Sequence, residues 1–285
     1  MDGIESDRLV IAVHGRLHME PSVRAMLEDE ERGRDPWGMF VTRSVALGLA
    51  SFRTHATGDQ ADEDKLYEGT ERWSQHDVFG DWGSDEDVRE LLAVRVQLNR
   101  MNERTHQRLP VQPALSVVRD VLGRVGTTIL TGVHADLPLG VAGDSLGDVA
   151  RGRDWFLSGA GQRPTDLVVT VRLEPGAEAT EAATRLVDEL SLYAPMIGSV
   201  LPTIVVTDWS KALLAEASAF SGRPGASVAE DVLPDDNLPG IAFRCQSVEW
   251  NVDVAAWTLE LFGEIIRRAL SASQASVRVS ASGIR

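Results

Sequence analysis

Residues 143–151 hold the combination of side chains in this sequence that is best suited to chemistry. They read GDSLGDVAR, so a turn at Gly143 is followed by Asp144, by Ser145 at the start of a predicted helix, and by Arg151 within that helix. A short apolar run precedes the turn. A strand, a glycine turn and a helix N-terminus in this order direct backbone N–H groups and the positive end of a helix dipole at one point. The segment therefore predicts a binding site for an anion.

The same residues fit a second hypothesis, in which Ser145 is a nucleophile. GDSLG matches the pattern G-x-S-x-G, a sharp turn that exposes a serine between a strand and a helix. The acid and the histidine that activate such a serine follow it along the chain, whereas all six histidines of this sequence precede Ser145. Because a serine without a base is a weak nucleophile, this order counts against a hydrolase. A third, purely structural interpretation is that Asp144 or Ser145 caps a helix and that nothing binds.

The segment also resembles the G-D-T-x-N-x-x-x-R signature of class III nucleotide cyclases. The resemblance covers residues 78–159, including a glycine-rich turn at residues 119–123 (RDVLG). It implies that Arg151 stabilises charge on a transferred phosphate. The ribose-contacting asparagine of the family falls on Gly147, and the predicted first strand, residues 9–13, lacks the family's metal-binding aspartate. Two-metal phosphoryl transfer would lack a ligand, so the resemblance implies a degenerate domain that binds a nucleotide.

Composition limits the partners and the compartment. The 285-residue chain has a formal net charge of −15, and nucleic acids and anionic membranes attract clustered Lys and Arg, so we expect neither as a partner. Cys245 is the only cysteine, which excludes an internal disulfide or a thiolate zinc cluster. No leader is recognised, and no apolar run reaches the roughly 18 residues of a membrane span. We expect a soluble cytoplasmic protein.

A strand predicted over residues 9–19 places His14 and His18 on its polar face. At about 3.3 Å per residue the two histidines stand roughly 13 Å apart, which is too far for both to bind one metal ion. No metal site is therefore predicted. Either histidine could still contact a ligand that lies along the polar face of the strand.

The order of elements predicts an α/β protein with a mixed, partly parallel sheet flanked by helices. The β-branched runs at residues 166–173 and 203–207 are separated by a predicted helix at 177–193, and this order favours parallel strands joined by a right-handed crossover. The other predicted elements are strands at 9–19 and 127–133, a helix at 84–106 that opens with Ser84 and Asp87, and a helix at 252–270 with Glu260, Glu264, Arg267 and Arg268 on its outer face. The tail from residue 271 is predicted to be frayed, and no internal repeat is found.

A change of pattern near residue 160 divides the chain. Residues 1–160 form a predicted α/β domain with an acidic insertion and the ligand turn, and residues 161–285 form a βαβ half that ends in a long amphipathic helix, unless both belong to one continuous domain. The leading hypothesis is a module that binds an anionic small molecule, such as a nucleotide, through Gly143, Asp144, Ser145 and Arg151, with catalysis and cofactors left open. The alternatives are a non-catalytic assembly subunit or adaptor that binds protein partners or itself, and a serine hydrolase that uses Ser145.

Overall fold

An antiparallel sheet runs through both halves of the chain. The computed structural model describes residues 8–27, 35–50, 72–80, 82, 88–98, 108–157, 164–172, 179–207 and 240–282, and within them the sheet has eight strands in the order β2-β3-β1-β4-β8-β5-β7-β6. The strands are β1 (Arg8–Met19), β2 (Trp73–Phe79), β3 (Arg89–Leu98), β4 (Gly126–Leu137), β5 (Thr165–Arg172), β6 (Thr203–Thr207), β7 (Gly240–Ser247) and β8 (Ala275–Ala281). The helices are α1 (Pro21–Leu27), α2 (Pro36–Ala46), α3 (Val111–Val125), α4 (Leu146–Arg151), α5 (Arg153–Leu157), α6 (Ala179–Ile197) and α7 (Val252–Leu270).

The predicted mixed, partly parallel sheet is wrong, because every neighbouring pair of these strands is antiparallel. β5 and β6 do run in the same direction, as a crossover through α6 requires. However, β7 lies between them and pairs with both. The crossover therefore skips one strand position, and the returning strand β7 fills it.

The sheet consists of two units with the same order of elements. Each unit follows the pattern βαββαβ, and within each the strands lie in the order fourth, first, third, second, which is the ferredoxin-like arrangement. The last strands of the two units, β4 and β8, pair with each other and join the units into one sheet. The two units share their architecture, but the sequence shows no internal repeat. Different residues can form the same strand as long as apolar and polar positions alternate.

Two predicted elements are wrong. The helix expected over residues 84–106 is a strand, β3, where it is described. Val94, Val96 and Leu98 alternate with polar residues and are buried, so the period is that of a strand. The predicted capping pair Ser84 and Asp87 lies outside the described residues.

The tail expected to be frayed is also a strand, and it lies in the middle of the sheet. β8 pairs with β4 on one side and with β5 on the other, and Val277 and Val279 are completely buried. Ser271, at a φ of 52°, ends α7 in the left-handed conformation and turns the chain back towards the sheet.

The helix α7 is the centre of the helical layer. It was predicted over the residues it occupies, and its N-terminus is capped by the Asn251 side chain, which accepts a hydrogen bond from Val254 N at 2.9 Å. It contacts α3, α4, α6 and the strands β4 and β8. Every residue from 254 to 266 is buried, so Glu260 and Glu264 do not lie on an outer face as predicted. No helix among the described residues is long and apolar enough to cross a membrane.

Candidate functional site

The turn at Gly143 has the predicted order of elements but is closed by its own fold. β4 ends at Leu137, a short 3-10 turn covers Leu139–Val141, and α4 follows from Leu146. Gly140 N donates to Ser273 O at 2.8 Å. This bond fixes the turn against the segment between α7 and β8.

Ser145 contacts a buried carboxylate on α7. Its Oγ donates to Glu264 Oε1 at 2.9 Å, and its backbone N lies 3.5 Å from Glu264 Oε2. Ser145 is only 6% exposed, so Glu264 occupies the position that an anion would take at the start of α4. The hydroxyl donates its proton to a carboxylate, and the histidine that a serine nucleophile needs does not contact it among the described residues.

Asp144 and Arg151 point to different places. Both carboxylate oxygens of Asp144 accept hydrogen bonds from Arg268 Nη2, Oδ1 at 2.6 Å and Oδ2 at 2.7 Å. This hydrogen-bonded arginine lowers the pKa of the Asp144 carboxyl. Arg151 stands at the opposite end of α4 from Ser145, has a side chain that is 79% exposed and pairs with Asp148 at 3.3 Å. The structure therefore does not bring Asp144, Ser145 and Arg151 together around one point. Gly147, where the cyclase signature has its asparagine, faces open space.

A cavity with a different set of charges lies at the N-terminus of α3. Its volume is about 310 Å³, and Arg72, Arg108, Gln112, Ser116 and Glu260 are among the residues that line it. Arg72 precedes β2, Arg108 precedes α3, and Glu260 comes from the middle of α7. Three segments remote in sequence therefore meet at this cavity.

Glu260 caps α3 and holds Arg108 in place. The Glu260 Oε1 atom accepts a hydrogen bond from Gln112 N at 3.0 Å. Its Oε2 atom accepts one from Arg108 Nε at 2.7 Å and another from Arg108 Nη2. A residue distant in sequence caps the helix because Pro110, at the N-cap position, provides no side-chain hydrogen bond. Pro113, in the first turn, has no N–H to be capped. Burial raises the pKa of Glu260, while Arg108 and the Gln112 N–H partly offset that rise.

The two arginines of the cavity differ in their partners. Arg108 has a side chain that is 31% exposed, and it also donates from Nη2 to Gln112 Oε1 at 3.1 Å. The guanidinium of Arg72 is exposed and has no hydrogen bond or ion pair with any residue of the described ranges. Among the described residues, two cations and one carboxylate line the cavity, so their net charge is positive although the chain is strongly acidic.

A further polar cluster lies on the sheet face opposite the helices. His134 Nε2 is 3.1 Å from Asp136 Oδ1 and 3.0 Å from Ser276 Oγ. Both contacts use the same ring nitrogen, so these residues do not form a serine–histidine–aspartate relay, which needs both nitrogens. Burial would raise the pKa of Asp136, but His134, Ser276 and Arg278 outweigh burial and lower it.

The two histidines of β1 have different environments. Burial lowers the pKa of His14 to about 3, with a further contribution from His134 and Arg278, so His14 is neutral at physiological pH. His18 is exposed. No group of three or more potential metal ligands occurs among the described residues.

Comparison with protein-family models, with curated proteins and with solved structures finds no match. The cyclase resemblance therefore remains a prediction from the sequence, and the geometry of the sites carries the functional argument. The sequence singled out the Gly143 turn and missed the α3 cavity. The sequence signal for the cavity is the pair of glutamates, four residues apart, within the otherwise uncharged stretch 254–266 of α7.

Proposed function

We propose that the protein binds a small anionic molecule in the cavity at the N-terminus of α3, with Arg72 and Arg108 as the groups that contact the anion. The observation that carries the proposal is the Arg72 guanidinium, which lines the cavity beside Arg108 without an ionic partner among the described residues. Arginine presents several N–H donors in a plane and suits carboxylates and phosphates. The class of ligand is the one expected from the sequence, but the site is a different one.

The α3 cavity is favoured over the Gly143 turn as the anion site because an anion at the turn would have to replace existing contacts. An anion at the turn would compete with Glu264 for Ser145, and with Asp144 for Arg268. Displacing Glu264 from Ser145 would leave this buried carboxylate with Arg267 as its side-chain partner among the described residues, and the loss of a hydrogen bond to a buried charged group is costly. An anion beside Arg72 displaces no hydrogen bond or ion pair of this guanidinium with the residues that the structure describes.

The volume of the cavity limits the size of the ligand. Ligand pockets usually measure about 300–1,000 Å³, so a cavity of about 310 Å³ lies at the small end. This volume favours a small phosphate ester or a small carboxylic acid over a large cofactor. Ser116 and Gln112, which also line the cavity, offer polar groups for the uncharged part of such a ligand.

Substitution of single arginines tests the proposal. We expect Arg72→Ala to weaken the binding of inorganic phosphate, sulfate, citrate or a mononucleotide by tenfold or more, since a hydrogen bond to a charged group is worth about 1.5–3 kcal/mol. Isothermal titration calorimetry at constant ionic strength measures the loss. Arg185→Ala removes an exposed arginine that pairs with Glu181 on α6 and should leave binding unchanged. If Arg151→Ala abolished binding and Arg72→Ala did not, the ligand would lie at the Gly143 turn and the proposal would be wrong.

A second candidate function, self-assembly, is favoured by the outer edge of the sheet. β6 lies at one edge of the sheet formed by the described strands. It contains no charged residue, and Val205 and Val206 are 55% and 42% exposed. Exposed apolar edges are typical of interfaces. Two copies of an acidic chain would approach most easily at an uncharged strand, by antiparallel pairing of β6 with β6.

Light scattering tests this second candidate. We expect a dimer for the unmodified chain and a monomer for Val206→Asp, because the substitution places a charge on the edge. Thr207→Ser is the conservative control at the next position. A monomer at all concentrations up to the millimolar range would rule out self-assembly through β6.

A further inference from the structure

We infer that the cavity takes up its anion together with one proton, and that Glu260 holds this proton. The inference rests on the proposed function, since it concerns the same cavity. It begins with a shared contact, because Arg108 binds Glu260 through Nε and Nη2 while it lines the space that the ligand would fill. The ligand and Glu260 are therefore two negative groups around one guanidinium.

The charges explain why a proton must follow the anion. Arg72, Arg108 and Glu260 together carry a net charge of +1, and a dianion such as sulfate would turn this into −1. Glu260 is 3% exposed, so water does little to screen its repulsion of a neighbouring anion. An arginine cannot lose its proton at ordinary pH. Among the described residues that line the cavity, protonation of the Glu260 carboxylate is thus the available way to reduce the repulsion.

Among the described residues, the surroundings of Glu260 leave it as the group of the cavity that titrates. From the segment before α3 it faces Arg108, from α3 the backbone N–H of Gln112, and along α7 it feels the charge of Glu264, which raises its pKa. Arg119 and Asp120 of α3 are engaged elsewhere, with Asp253 and Arg43. The helix-facing side chains of β4 and β8, such as Val133 and Val277, are apolar. Burial already moves the pKa of Glu260 upwards from its ordinary value of 4.5.

Protonation also frees hydrogen-bonding capacity for the ligand. A proton taken from solvent and placed on Oε2 leaves the bond from Gln112 N to Oε1 intact, so α3 remains capped. Protonation also weakens the hydrogen bonds from Arg108 to Glu260 Oε2. The N–H groups of Arg108 can then donate to the anion. The bound state consequently holds one more proton than the free state, and affinity increases as the pH falls.

Sulfate is a suitable probe, because it does not change its own charge between pH 5 and pH 8. We expect its affinity to rise as the pH is lowered through this range, by at most about tenfold per pH unit, which is the limit for one linked proton. Calorimetry at one pH in two cationic buffers with different ionisation enthalpies, such as Tris and imidazole, gives the number of protons taken up. The expected number is at most one, and it is largest between the pKa of Glu260 in the free protein and its higher pKa in the complex.

Two glutamine variants assign the proton. Glu260→Gln imitates the protonated carboxyl, so it should bind sulfate about tenfold more tightly at pH 8 and lose most of the pH dependence. Glu264→Gln is the matched control. It removes a buried carboxylate one turn along α7 that contacts Ser145 and Arg267. Sulfate binding to this variant should still take up a proton and depend on pH, with the dependence shifted to lower pH because Glu264 no longer raises the pKa of Glu260. Circular dichroism establishes that both variants are folded.

The possible results separate the inference from the proposed function. Sulfate binding that takes up no protons, or that depends equally on pH in Glu260→Gln and in the unmodified chain, overturns the inference and leaves the proposed function intact. Absence of anion binding at every pH overturns the proposed function and the inference with it. If Glu260→Gln did not fold, the count of protons in the unmodified chain and the response of Glu264→Gln would still decide.

Discussion

A chain that ends after Leu270 is expected to remain unfolded. This truncation removes β8, which joins the two βαββαβ units by pairing with both β4 and β5. It also removes Val277 and Val279 from beneath the helices and leaves two strand edges open in the middle of the sheet. Because a domain has a total stability of only about 5–15 kcal/mol, we expect the loss of the central strand to abolish the cooperative unfolding transition seen by circular dichroism.

Two further variants make this expectation specific. A chain that ends after Ser282 loses only residues outside the described ranges and should unfold as the full chain does. Val279→Asp keeps the length but buries a carboxylate without a partner, which costs several kcal/mol, and it should behave like the truncated chain. A chain ending after Leu270 that unfolded cooperatively at an unchanged temperature would show that β8 is not a central strand.

Arg108→Ala is expected to destabilise the protein by about 3 kcal/mol at pH 8. The substitution leaves Glu260 buried with only the Gln112 N–H as a partner, and removal of one member of a buried ion pair typically costs about 3–5 kcal/mol. We take the lower end because the Arg108 side chain is 31% exposed. Chemical denaturation monitored by circular dichroism measures the free energy of unfolding.

The loss caused by Arg108→Ala should shrink as the pH falls. Burial raises the pKa of Glu260 above its ordinary value of 4.5, so the folded state binds this proton more tightly than the unfolded state. Stability therefore falls as the pH rises from about 4.5 through the raised pKa. Without Arg108 the pKa rises further and the dependence becomes steeper, so the variant should lose less at pH 5 than at pH 8.

Arg119→Ala provides the comparison for Arg108→Ala. Arg119 lies on α3 and pairs with Asp253 at the surface, with a side chain that is 48% exposed. Surface ion pairs contribute about 0–1 kcal/mol, so its loss should be small and nearly independent of pH. An equal effect of the two substitutions would mean that Glu260 does not depend on Arg108.

The sequence predicted those elements whose local period is unambiguous. The apolar stripe of residues 252–270 and the alternation of residues 9–19 led to α7 and β1, as found. The pairing of strands could not be predicted in this way, because the position of β7 between β5 and β6 depends on residues that follow β6 by more than thirty positions. β8 alternates valine with serine and arginine, but its small polar residues resemble those of a frayed terminus.

The candidate site could not be predicted from local sequence patterns for a similar reason. Arg108 and Glu260 are 152 residues apart in sequence, and Arg72 stands just before a strand with no pattern around it. Because charged residues usually lie on the outer face of a helix, the sequence predicts Glu260 and Glu264 there. A helix that is buried on all sides has no such face, so its carboxylates must find partners at the ends of neighbouring helices.

The most direct test of the proposed site is to locate a bound anion. Crystals grown with selenate, a heavier analogue of sulfate, would reveal the anion by its anomalous scattering. We predict a peak within hydrogen-bonding distance of the guanidinium groups of both Arg72 and Arg108, and its absence from crystals of Arg72→Ala. A peak beside Arg151 at the end of α4, or an empty cavity at a selenate concentration that saturates binding in solution, would contradict it.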